Sequence, residues 1–336
     1  AASDVYKRQN QEKTLTSEHI IIASGSSHRD HPLLALEGET ILSSREVFKL
    51  QTIPESILVI GGGAIGCEFA SFFNALGTHV HIAEFTPKLV PHEDDDVART
   101  LKRELEKSGI TVDVKANVTE YKVTDKGVEV TIDTGKKQET HTFEKVLISI
   151  GRIPNTADLA LENVNIESDR GFIEVNENLQ TTNHGNIYAI GDVLKSPALA
   201  HVAYYEAKRV VQHILVEEMF TEEYIFPSVT FCTPQVASIG KGEKALKEEG
   251  IKFKNKKLFF KANAKAKIKG DDSGFVKVLY DEETSLILGA SIIGNDATEL
   301  IHQFLIAINA NLGLNDLEKM IFAHPTLSES TLDLIG

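Results

Sequence analysis

The chain has 336 residues, a 42% hydrophobic and 25% charged composition and a formal charge of −14. That balance is ordinary for a globular protein with a sizeable core, and the length suggests two or three domains. The acidity argues against nucleic acid or an anionic membrane as a partner and is read as solubility. Two cysteines, Cys67 and Cys232, make no disulfide framework. Together with the lack of a signal-like stretch or convincing membrane span, they point to a cytoplasmic protein. The one long apolar stretch, residues 57–77, carries Glu68, Asn74 and several glycines, and reads better as a buried strand and a packed helix.

Taken in chain order, the opening AASDVYKRQN, residues 1–10, does not match the rest of the chain. It reads as a non-native scar outside the fold. Residues 14–22 read as a strand running into Ala23-Ser24-Gly25-Ser26. That turn is a place of close approach to a ligand or a plain strand-ending loop. Residues 32–38 are loop and 44–50 a short helix. Ile57-Leu-Val-Ile60 then reads as a buried strand, and Gly61, Gly63 and Gly66 fit G-x-G-x-x-G at the head of a helix. In that motif the glycines allow a tight turn, close approach of the backbone to a pyrophosphate and close helix–strand packing. The pyrophosphate rests on the N–H groups of the helix start. Gly77 ends the helix, residues 78–83 form the next strand, and Glu84 stands at its end. An acid roughly 20 residues after the glycines accepts from a ribose 2′-hydroxyl and repels a 2′-phosphate, which favours NAD over NADP.

Glu93-Asp94-Asp95-Asp96 opens a helix to Ser108, and acids there suit the helix dipole. Residues 112–143 hold short strands, and residues 145–150 an apolar strand ending at Gly151. Strands lie at 171–175 and 186–190, the latter ending in Gly191-Asp192, where a carboxylate accepts from polyol hydroxyls or closes an Asx turn. Ala198-Leu199-Ala200-His201 opens a long helix running to Met219. It faces a ligand with its positive end or simply starts a helix. From residue 224 the texture is α+β: strands at 229–239, 252–260, 275–280 and 287–293, and helices at 297–310 and 314–320. His324-Pro325-Thr-Leu-Ser-Glu329 closes the chain. A histidine with a carboxylate five residues on forms an oriented acid–base pair, and the same residues also fit a His-Pro turn followed by a helix start. Cys67 is read as a packing residue. His79 and His81 on one strand have no third ligand in view, so no metal site is expected.

These motifs, in this order, resemble the flavin-dependent pyridine nucleotide-disulfide oxidoreductases from about Leu15 to Leu332. The resemblance is carried by residues 23–26, 61–68, 151–155, 188–193, 198–201, 233–237 and 324–329. It implies an α/β fold: a Rossmann-like NAD domain inserted in a partial FAD-binding domain, followed by a C-terminal α+β dimerisation domain. The domains are drawn at 11–44 (FAD remnant), 45–151 (NAD), 152–222 (FAD and central) and 223–336 (dimerisation).

The resemblance further implies that Gly61, Gly62, Gly63, Ala64, Ile65, Gly66, Glu84, Val118 and Gly151 contact NAD, with Glu68 beside the nicotinamide and flavin. FAD would be held by Ser24, Gly25, Ser26, Asp192, Ala198, Leu199, Ala200 and His201. His324 would be the general base, oriented by Glu329 and serving the other subunit of a homodimer. The implied reaction is oxidation of protein-bound dihydrolipoamide with reduction of NAD. Its partners would be lipoyl domains of 2-oxoacid dehydrogenase or glycine-cleavage complexes. The family's first G-x-G-x-x-G, C-x4-C redox pair and partner lysine for Glu68 are not in this sequence. The chain is therefore expected to be an N-terminally truncated member, inactive by itself. A glutathione- or mercuric-reductase-like enzyme and a non-catalytic NAD-binding dimer module are the other readings.

Overall fold

The computed structural model describes residues 2–8, 11–216 and 224–336. It divides the chain into two units, residues 1–29 with 152–224 and residues 30–151 with 225–336.

The second unit begins with a five-stranded parallel sheet in the order Ile41–Ser43, Lys145–Ile148, Ser56–Ile60, His79–Glu84, Thr111–Val114. Ile57, Leu58, Val59 and Ile60 are buried on both faces, which is why this central strand is a continuous apolar run. Helix α1 (Ala64–Ala75) comes after the glycine turn and helix α2 (Asp95–Lys107) precedes the last strand. α1 stops because Gly77 takes a left-handed φ of +89°, a conformation with no penalty for glycine. The strands Asn117–Thr124, Gly127–Asp133 and Gln138–Phe143 form an antiparallel sheet. The strand Ile41–Ser43 belongs to the parallel sheet. The boundary therefore falls at 29/30 rather than at the expected 44/45.

In the first unit, Ile20–Ile22 pairs in parallel with Ile187–Ala189, and Ser26–His28 pairs antiparallel with Arg152–Pro154. Its long helix, α3, runs Ala200–Val216; the rest of the helix expected to reach Met219, and the boundary drawn at 222/223, lie outside the described residues. Ala2–Arg8 is a strand in antiparallel register with Gln11–Ser17, while Ala1, Gln9 and Asn10 lie outside the described residues. The strand expected over 14–22 is two strands, separated at Glu18 and His19.

The remainder of the second unit is an antiparallel sheet in the order Pro227–Thr230, Gln235–Gly240, Ile287–Gly294, Phe275–Asp281, Phe253–Phe259. Helices α4 (Glu243–Glu248), α5 (Ala264–Lys269), α6 (Ala297–Asn309), α7 (Leu314–Leu317) and α8 (Glu329–Asp333) accompany it. α4 and α5 are six-residue helices, too short to show an apolar period in sequence. Cys67 and Phe73 of α1 share one core with Cys232, Val236, Phe275 and Ile293, so the two five-stranded sheets of this unit are bound by burial of common apolar surface.

Candidate functional site

The glycine turn is specified by lack of room. A Cβ on Gly61 would lie 2.5 Å from the Ser149 carbonyl oxygen, and one on Gly66 would lie 1.9 Å from the Gly61 oxygen. A Cβ on Gly63 would meet nothing within 4 Å. Gly63 is the N-cap of α1, and Ala64 beyond it is exposed. Two glycines thus serve internal packing and the third faces open space at a helix start, where a pyrophosphate fits.

Glu84 stands beside this turn, buried at the end of its strand. One carboxylate oxygen accepts the Gly62 N–H and the other accepts the Thr86 N–H at 2.6 Å. The acid therefore braces the glycine turn, a role its sequence position does not reveal. The Val90 N–H donates to the Gly62 carbonyl at 2.8 Å as a further brace. Val118 packs in the core opposite Ile132. Its strand begins beside Glu84, whose carbonyl accepts the Ala116 N–H at 2.9 Å. Gly151 is exposed, with φ +117°.

Glu68 on α1 accepts the Phe231 N–H at 2.9 Å, and burial raises its pKa. It lines a cavity of about 560 Å³ with Phe48, Phe69, Phe72 and Phe231. Cys67 is fully buried and its thiol is pushed well up by burial. Burial pushes the Cys232 thiol up to about 12. Neither thiol provides a thiolate nucleophile near neutral pH.

His324 and Glu329 are brought together. The His324 Nδ1 lies 2.9 Å from Glu329 Oε1, and Glu329 Oε2 accepts the Thr326 N–H at 2.8 Å. That backbone bond, and then His324, holds Glu329 below the usual carboxylate range. The His324 side chain is 72% exposed. Glu329 thus pairs with the histidine and also opens α8.

In the first unit, Ser26, Arg152, Asp192 and Ala198 line a cavity of about 330 Å³ with Phe172 and Leu194. The Ser26 hydroxyl donates to Asp192, and Arg152 donates to both the Ser26 hydroxyl and the Ser26 carbonyl at 2.6 Å. Ser24 and Gly25 are fixed by Asn155, which accepts from the Ser24 hydroxyl and donates its N–H to the Gly25 carbonyl at 2.9 Å. The Leu199 carbonyl starts α3 by accepting from Val202 and Ala203, and Ala200 and His201 are exposed in its first turn. Hydroxyl, carboxylate and guanidinium around one cavity suit a polyol ligand. Arg152 and Asn155 were visible only as parts of the Gly151–Asn155 motif, and the structure gives them their positioning roles.

Among the described residues, Asp94, Asp96 and Glu243 are the one group of acids placed closely enough to hold a cation. Their centre is taken by the Lys277 ammonium, 2.7, 2.7 and 3.1 Å from them. His81 Nε2 instead pairs with Asp113 at 2.9 Å. No helix among the described residues is long and apolar enough to cross a membrane.

Residues 1–207 match the family model described as pyridine nucleotide-disulphide oxidoreductase, and residues 226–335 match that family's dimerisation domain. The chain belongs to the pyridine nucleotide-disulphide oxidoreductase family. Among similar members, the dihydrolipoyl dehydrogenase of Rhizobium etli is 36% identical over 98% of this chain and 69% of its own length. The mitochondrial dihydrolipoyl dehydrogenase 2 of Arabidopsis thaliana is 37% identical over 93% of this chain and 62% of its own. The chain thus spans about two thirds of the relatives it matches. In structure it is similar to a Cu(II) complex of the HOCl-induced flavoprotein disulfide reductase of Escherichia coli, with a TM-score of 0.90, 28% identity, and coverage of 99% of this chain and 75% of that one. The family assignment accounts for the order of motifs and for a nucleotide-binding sheet interrupting the first unit.

Proposed function

We propose that this chain is part of an NAD-linked dihydrolipoyl dehydrogenase, a flavoenzyme that oxidises protein-bound dihydrolipoamide to lipoamide and reduces NAD to NADH. The observation that carries the reading is the His324–Glu329 pair at 2.9 Å, anchored through the Thr326 N–H. With Nδ1 donating to Glu329, the Nε2 of His324 takes the proton of a substrate thiol. The carboxylate sets the tautomer and stabilises the imidazolium that forms. A 72% exposed histidine suits a base that serves a neighbouring subunit, so the working form is a homodimer.

FAD would be held by Ser24, Gly25, Ser26, Asp192 and the Ala198–His201 turn; of these Ser26, Asp192 and Ala198 line one cavity with Arg152, where a hydroxyl, a carboxylate and a guanidinium fit it. NAD would lie on Gly61–Gly66 with Glu68, Glu84, Val118 and Gly151, and the open space at Gly63 fits its pyrophosphate. Bound flavin supplies the electron path between dithiol and nicotinamide. Glu84 selects NAD, since its buried carboxylate repels a 2′-phosphate. Lipoyl domains of a 2-oxoacid dehydrogenase or glycine-cleavage complex are the partners of such an enzyme. Two unbridged, buried cysteines suit the reducing cytoplasm.

The deciding assay is dihydrolipoamide-dependent NADH formation by the protein at the length its gene encodes, beside its H324Q variant. NAD-linked turnover cut by about 10²–10⁴ in H324Q supports the enzyme. A preference for NADP, or turnover indifferent to H324Q, overturns it.

A further inference from the structure

Glu206 is a carboxylate in the middle of α3 with 0% exposure. Burial of an anion is costly unless donors replace its water, and both of its oxygens are supplied. Oε2 accepts the Gly191 N–H at 2.6 Å and Oε1 accepts the Tyr224 hydroxyl at 2.7 Å. Burial first, and then the bond to Glu206, hold the Tyr224 hydroxyl well above its usual range, so it stays a donor.

Gly191 has a left-handed φ of +69°, and a Cβ there would come to 3.2 Å from the Ala203 Cβ of the same helix. The turn at Gly191 is thus pressed onto α3 and tied to it. The next residue is Asp192, which accepts from Ser26, lies 3.6 Å from Arg152 Nε and lines the 330 Å³ cavity. Asp192 sits in a three-residue 3₁₀ turn, Gly191–Val193, which has little hydrogen bonding of its own to fix its direction.

We propose that Glu206 is the positioning residue for Asp192. Its buried carboxylate fixes the Gly191 amide, and so holds the Asp192 carboxylate where it meets the hydroxyls of the flavin's polyol chain. This rests on the reading of the cavity as a flavin site. Glu206 itself touches neither cofactor nor substrate.

The test pairs hydrogen exchange of the ligand-free chain with titration by FAD, followed by flavin fluorescence, in wild type, E206A, E206Q and Y224F. E206A is expected to speed exchange in the peptide 187–194 by about tenfold, the worth of one charge-assisted hydrogen bond. The later turns of α3 keep their protection, and FAD affinity falls by about tenfold. In E206Q the amide oxygen still accepts from Gly191, so both effects are smaller. Y224F leaves the 187–194 peptide as in wild type.

Unchanged protection of 187–194 in E206A overturns the proposal. So does deprotection spread evenly along α3, which marks a general packing role, and so does FAD affinity that E206A leaves unaltered. If E206A does not fold, E206Q decides by the same criteria. A wild type that binds no FAD, while 187–194 responds selectively, overturns the flavin reading and leaves the positioning of Asp192 standing.

Discussion

The Lys277 ammonium lies 2.7 Å from the Asp94 carboxylate, joining the strand Phe275–Asp281 to the head of α2. Lys277 is 1% exposed, and Asp96 and Glu243 complete its surroundings. Burial lowers its pKa, but the bonds to Asp94 and Asp96 outweigh burial and keep the ammonium above its usual range. Removal of the cation leaves the buried Asp94 carboxylate with only the Glu243 N–H, while Asp96 keeps Lys257 and Glu243 keeps Lys247. Lys277→Met is expected to cost about 3–5 kcal/mol, a fall in Tm of about 4–7 °C. Calorimetry of wild type and variant checks this, and a change within about 1 °C would show that the clamp contributes nothing net.

Glu93, one residue before this clamp, titrates in the physiological range. It is 9% exposed, burial raises its pKa from 4.5 to about 7, and it accepts the Ser238 hydroxyl at 2.9 Å. The folded state binds this proton more tightly than the unfolded one. Its contribution is complete below about pH 4.5 and is lost as pH rises through about 7. Glu93→Gln keeps an acceptor for Ser238 and has no charge to bury. Urea unfolding at several pH values is expected to show E93Q gaining on wild type across that window, by about 3 kcal/mol in all. A constant difference between the two proteins falsifies the assignment.

The glycines separate packing from binding. Gly66→Ala places a Cβ 1.9 Å from the Gly61 oxygen, so large destabilisation is expected, about 3 kcal/mol or more. Gly63→Ala meets nothing within 4 Å, and as an N-cap change it costs only about 0.5 kcal/mol. It is nevertheless expected to weaken NAD by about tenfold, since a methyl group then stands where the backbone approaches phosphate. Tm and calorimetric NAD titration distinguish the two, and equal NAD affinity in G63A and wild type would remove Gly63 from the binding surface.

The thiols give a chemical check on the core. With Cys67 raised well above its usual range and Cys232 up to about 12 by burial, neither reacts as a thiolate in the folded chain. A thiol reagent at about pH 8, close to the pKa of a free thiol, is expected to label both only after denaturant is added. Fast labelling of either in the native chain would contradict the packing of α1 against Cys232.

The nucleotide-binding unit was legible because its signals are local. Strand, turn, helix and terminal acid lie between Ile57 and Glu84, and each is set by apolar run, glycine geometry or helix length. The pairing of His324 with Glu329 was legible for the same reason, being five residues apart across one turn. The four acids Glu93–Asp96 were read as helix-dipole partners, a local explanation that holds for the head of α2. It missed Lys277, because contact across 183 residues leaves no trace in spacing.

The sequence by itself determined the glycine turn, the acid at the strand end and the pairing of His324 with Glu329, since these depend on backbone sterics and short separations. Only the tertiary structure decided that Glu84 braces the turn, that Glu206 holds Gly191, that Arg152 and Asn155 organise Ser24–Ser26, and that Lys277 sits among three acids. Each of these is a charge or amide brought to its partner by burial of apolar surface elsewhere. Hydrophobic burial is non-directional and carries no residue-to-residue code. Which polar groups then meet, and which must meet to avoid being buried unpaired, depends on how the sheets and helices pack.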